Sequence, residues 1–122
     1  MKIKSLPVII HFDTPLTIEI MEDFSYINSE GTRWDFKKGW KSDGHSTGKY
    51  FKHFDEYTIA ALSHDQDCER SWEMTSYAIR REGDKNYKFN LKELGASKST
   101  VYRRYAAVSA RTRWLKFTGE LS

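Results

Sequence analysis

The chain has 122 residues, 39% hydrophobic and 15% aromatic, with a net charge of +3, enough for one domain around a single ring-rich core. Its one cysteine, Cys68, excludes an internal disulfide framework and suits a reducing compartment. No apolar run approaches the roughly 20 residues that a membrane span needs, and the N-terminus lacks the apolar stretch of a secretory leader, so the expectation is a soluble protein that stays where it is made, without membrane contact.

Val8 to Phe12 and Leu16 to Glu22 read as strands, the second alternating Leu16, Ile18 and Ile20 against Thr17 and Glu19, with a turn at Asp13-Thr14-Pro15. Phe24 to Asn28 and Thr32 to Phe36 read as two more strands across Ser29-Glu30-Gly31, the last with Trp34 and Phe36 on one face and Arg33 and Asp35 on the other. The first third therefore predicts an antiparallel meander of about four strands.

Lys37 to Lys52 reads as a loop rich in glycine, serine and lysine, and loops of this length often carry function. Asp55 is a good N-cap for a helix to about Cys68 that places Tyr57, Ala61, His64 and Cys68 on one face. A longer helix is expected over Ser71 to Leu94, closed by Gly95, with Gly83 as the candidate break. On it Arg80, Asp84, Tyr87, Leu91 and Leu94 form one stripe. The final helix starts near Ser97 or Ser99 and aligns Val101, Tyr105 and Val108, with Arg103 and Arg104 toward solvent. Beyond Arg111 the pattern fades, and Trp114, Leu115 and Phe117 are expected to pack back on the sheet. The fold class is thus α+β, an N-terminal antiparallel meander packed against about three C-terminal helices.

A carboxylate set into an apolar helix face needs a partner, because burying it alone costs several kcal/mol. Asp65 and Asp84 are in that position, and His64 lies on the apolar side of its helix. One reading is structural: Asp84 pairs with Arg80 or Arg81 and His64 bonds a carboxylate, locking helices together. The other is that Asp43, His64, Asp65 and Asp84 converge from a loop and two helices on one pocket, as metal ligands or acid/base groups.

At these residues the chain resembles the small proteins of tailed phages and prophages known as domain of unknown function number thirteen fifty-three. That family shows a β-rich N-terminus, a Gly-Phe-x-Thr-Asp-x-x-Ser loop, an Ala-x-x-His-Asp helix, an Arg-x-x-x-Asp helix and a Leu-x-x-x-Gly turn before a closing helix. Gly39-Trp40-Lys41-Ser42-Asp43-Gly44-His45-Ser46, Ala61-Leu62-Ser63-His64-Asp65, Arg80-Arg81-Glu82-Gly83-Asp84 and Leu91-Lys92-Glu93-Leu94-Gly95 match in order. The chain departs from the pattern at Thr47-Gly48, where an Ile-Pro usually follows the serine. The resemblance implies an α+β fold and a phage or prophage origin, hence the host cytoplasm or the virion, and it implies no reaction.

Three functions compete. The first is a hydrolase-like site with Asp43, Ser46, His64, Asp65 and Asp84 as candidate catalytic groups and, if a divalent metal takes part, His64, Asp43 and Asp84 as its ligands. The second is DNA binding through a helix-turn-helix at residues 91–105, in a C-terminal segment with six basic residues and one acid from Ser97 to Ser122. The third is a non-catalytic virion component or an inhibitor docking on a host protein through Trp40, Tyr50, Phe51 and Phe54.

Overall fold

A computed structural model describes residues 6–11, 17–42 and 57–122. Five antiparallel strands, β1 (Val8–His11), β2 (Thr17–Ile20), β3 (Phe24–Ile27), β4 (Arg33–Phe36) and β5 (Lys41–Ser42), precede three helices, α1 (Thr58–Met74), α2 (Tyr77–Glu93) and α3 (Lys98–Phe117). The fold is α+β. The strands do not form one meander. They make a three-stranded sheet, β1-β2-β5, and a two-stranded one, β3-β4.

Pairing follows the apolar alternation. Ile18 and Ile20 face inward opposite Ile10 and Val8, while Tyr26 and Phe24 lie opposite Trp34 and Phe36. Those cross-strand rings stack with centroids 5.8 and 4.9 Å apart. The far edge of β2 is taken by the returning chain: Gly39 N–H donates to Ile20 O, Ile20 N–H to Trp40 O, and Glu19 pairs with Lys41. Gly39 has φ +90, a conformation that favours glycine and turns the chain back at this point.

Ile18, Ile20, Trp34 and Phe36 pack on Ile59 and Leu62 of α1, and a second cluster joins Ala60 of α1, Tyr87 and Leu91 of α2, and Val101 and Val108 of α3. Each large aliphatic or aromatic side chain buried in this way contributes about 1.5–3 kcal/mol. Helix α1 therefore lies between the strands and the other two helices.

The helix boundaries correct the sequence reading. Helix α1 runs past Cys68 to Met74, and the break before α2 falls at Thr75-Ser76 rather than at Gly83. Its N-cap is Tyr57, which makes no side-chain capping bond, and Asp55 lies outside the described residues. Thr75 is left-handed at φ 49, Ser76 N–H donates back to Ser71 O, and the Ser76 hydroxyl caps α2 by accepting Ile79 N–H at 3.1 Å. The C-terminus closes this corner, with Tyr77 N–H donating to Ser122 O and Ser122 N–H to Thr75 O, both at 3.2 Å. A β-branched residue is costly in the left-handed region, so Thr75→Gly should raise the urea midpoint by about 1 kcal/mol of stability.

Helix α3 does not fade after Arg111. Thr112 and Leu115 continue its buried stripe, whereas Trp114 and Phe117 stay exposed instead of packing on the sheet. Arg104, expected in solvent, is buried, with its guanidinium 5.5 Å from the Tyr57 ring. That contact gives the charge an aromatic face.

Candidate functional site

Helices α1 and α2 cross closely at Gly83. A Cβ placed there would stand 2.7 Å from Asp67 Cβ, so the approach requires glycine. One residue further, Asp84 meets His64: Nε2 donates to Oδ1 at 2.8 Å, with Asp84 fully buried and His64 8% exposed. The Tyr87 ring lies 4.9 Å from the imidazole. Arg81 approaches Asp84 Oδ2 at 3.8 Å, an ion pair too long for a hydrogen bond, and its guanidinium donates to Ser109 Oγ at 3.1 Å and Tyr105 Oη at 3.4 Å. The pair is thus tied to all three helices.

Burial alone would lower the His64 pKa, but the Asp84 hydrogen bond and the neighbouring Cys68 outweigh it and raise it from 6.5 to about 10. The balance favours the protonated imidazolium, which donates to Asp84 and brings positive charge to this corner. Cys68 Sγ sits 3.7 and 3.8 Å from Nδ1 and Nε2. At this distance from both nitrogens the sulfur packs on the imidazole as a weak, polarisable acceptor that favours the protonated ring.

Among the proposed site residues, the structure brings His64 and Asp84 together and places Asp65 half-buried beside His64 on α1. Asp43 and Ser46 lie outside the described residues, as do His45 and His53. Among the described residues no three histidine, cysteine, aspartate or glutamate side chains gather closely enough to hold a metal ion.

A family model with the description "Protein of unknown function (DUF1353)" matches residues 18–108, from β2 into α3. The chain belongs to the DUF1353 family. Comparison with curated proteins and with solved structures gave no match. In this DUF1353 chain two elements of the motif series, the His-Asp helix and the Arg-x-x-x-Asp helix, thus meet through His64 and Asp84.

The DUF1353 core also holds polar groups that spacing alone did not single out. Asp67, 7% exposed, accepts the Trp34 indole N–H at 3.1 Å through Oδ1, while Oδ2 finds no hydrogen-bond donor among the described residues and faces Gly83. Burial pushes its pKa up, against the Trp34 bond and the His64 charge. Its signals were the position three residues after His64, on an adjoining flank of α1, and the need of the Trp34 indole for an acceptor. Asn90 is likewise buried, donating to Ser63 Oγ and accepting from Asn28 Nδ2, whose own oxygen accepts Glu30 and Thr32 N–H in the β3–β4 turn. This relay fixes the turn to α1 and α2.

Because the Asp67 pKa is raised in the fold, the unfolded chain gives up that proton first. Its burial is harmless below about pH 4, the range of a free aspartate, and becomes a cost as pH rises through the folded value. Asp67→Asn keeps the Trp34 bond without the charge. It should gain on the order of 1 kcal/mol at neutral pH and nothing in acid, read from urea midpoints across the pH range.

At the α2–α3 corner Gly95 is left-handed at φ +91, Ala96 N–H donates to Leu91 O, and Ser97 caps α3 by accepting Thr100 N–H, so residues 91–105 do form two helices across a tight turn. Of the aromatic docking patch only Trp40 is described. It is half-buried against Phe36 and donates its indole N–H to Glu69 at 2.8 Å, so it braces the sheet on α1 and is not a free docking ring. Tyr50, Phe51 and Phe54 lie outside the described residues.

Proposed function

We propose that the His64–Asp84 pair is the fixed part of a hydrolase-like site, with Asp84 holding the imidazolium and His64 acting as proton donor or charge stabiliser toward a substrate. The observation that supports this is the 2.8 Å hydrogen bond between the His64 and Asp84 side chains, which come from different helices and are buried where apolar side chains would serve packing as well. Asp43 and Ser46 are proposed to complete the site from the loop that follows β5, and Asp65 to brace it. A divalent metal, if used, must displace the His64 proton, so its uptake would release protons and strengthen with rising pH. The phage or prophage setting, in the host cytoplasm or the virion, belongs to the same proposal; mass spectrometry of purified particles tests the virion part.

The test uses the full chain, titrated with manganese or zinc by calorimetry and assayed on chromogenic esters and phosphodiesters. Asp43→Asn, and His64→Gln, which retains an N–H for Asp84, should each abolish metal uptake or turnover while the circular dichroism spectrum is preserved. No uptake and no turnover by the folded parent, together with unfolding of the His64 variant, would make the pair a helix lock and nothing more.

A further inference from the structure

We propose that the cleft between the C-terminal half of α2 and the N-terminal half of α3 binds single-stranded nucleic acid. This surface shares no residue with the hydrolytic reading and does not depend on it. The cleft encloses about 560 Å³ and is lined by Lys88, Lys92 and Lys98 around Val101, Tyr102 and Tyr105. Lys88 and Lys92 are one helical turn apart on α2, and Lys98 is the first residue of α3, so three ammonium groups surround an apolar and aromatic floor.

Among the described residues no acidic side chain lines this cleft. Glu93, the nearest acid in sequence, turns to the strands instead, where it accepts Ser29 N–H at 2.9 and 3.1 Å. Glu30 and Glu82 line the neighbouring hollow on the other side of Lys88 and Lys92. Tyr105 is already covered by Lys88, whose Nζ lies 4.9 Å from the ring centroid, but Tyr102 is 73% exposed and offers a free face.

A ligand that fits must combine a flat apolar ring with negative charge, which describes a nucleotide unit. The cations do not stop at the cleft. Arg103 is exposed beside Tyr102, Arg111, Arg113 and Lys116 are exposed further along α3, and Lys98–Phe117 contains no acid. That favours an extended polyanion over a mononucleotide. A base must be unstacked to lie on Tyr102, so the single strand fits and the duplex, whose base faces are covered, does not.

The test is fluorescence anisotropy of the full chain with a labelled oligothymidylate of about 12 nucleotides. Three phosphate contacts predict an affinity falling with about the second power of salt concentration. The combined Lys88→Gln, Lys92→Gln and Lys98→Gln variant should flatten that dependence and weaken binding at least tenfold at low salt. Tyr102→Ala should weaken it about tenfold with the salt dependence unchanged. A control with the same charge loss on exposed strand-side lysines, Lys37→Gln, Lys38→Gln and Lys41→Gln, should bind like the parent. No binding at low salt, equal loss in the two triple variants, an unaffected Tyr102→Ala, or duplex DNA of the same length binding as tightly would each overturn the proposal, the last in favour of a helix-turn-helix.

Discussion

Asp84→Ala should lower the stability of this protein by about 3–5 kcal/mol near neutral pH, among the largest losses any single replacement in the chain can cause. The reason is what stays behind. His64 keeps its burial and loses the acceptor 2.8 Å away, and the Arg81 guanidinium loses its charge partner. Removing one member of a buried pair costs far more than removing both, so His64→Phe combined with Asp84→Leu should recover much of the loss. The loss must also depend on pH in one direction. With the folded His64 pKa raised from 6.5 to about 10, the stabilisation is complete below 6.5 and disappears as pH climbs through the folded value. Urea denaturation of parent and Asp84→Ala should therefore converge in alkali and stay apart between neutrality and mild acid.

Gly83→Ala should destabilise as well, with a sign opposite to intuition. In a helix interior, replacing glycine by alanine normally gains about 1 kcal/mol. Here the new methyl would lie 2.7 Å from Asp67 Cβ, an atom fixed to the α1 backbone that cannot swing aside, so the helices must separate. Overpacking of this kind costs about 1–3 kcal/mol, and the separation also stretches the adjacent His64–Asp84 bond. A lower melting temperature is the expected result; a higher one would mean that the helices are not in contact at this point.

Much of the architecture was legible because its causes are local. Ile18 and Ile20, then Trp34 and Phe36, alternate with polar neighbours, and period two is enough to assign strands with one buried face. Asp84 fell on a stripe with Tyr87 and Leu91, and helical spacing alone put it in the core. What escaped depends on distant partners. Asp67 sits among Gln66, Glu69 and Arg70, which give no sign of burial, and its partner Trp34 reaches it from 33 positions away. Arg104 is inside with its guanidinium over the Tyr57 ring, a residue 47 positions earlier in the chain. The four strands became two sheets because Gly39 and Trp40 fold β5 onto the edge of β2, a choice no alternation encodes. Helix propensity makes Gly83 a weak point, whereas its lack of a side chain is what lets α1 and α2 meet. Asp43 and Ser46 were legible as a motif, and their part in the site rests on the proposed experiment.

Asp84 holds His64 toward the protonated form inside the helix layer. Nitrogen-15 NMR of the His64 ring across a pH titration measures this directly. Both ring nitrogens should stay protonated through neutrality, with a midpoint raised toward about 10, and the midpoint should fall sharply in Asp84→Asn. A midpoint near 6.5, unmoved by that substitution, would contradict it.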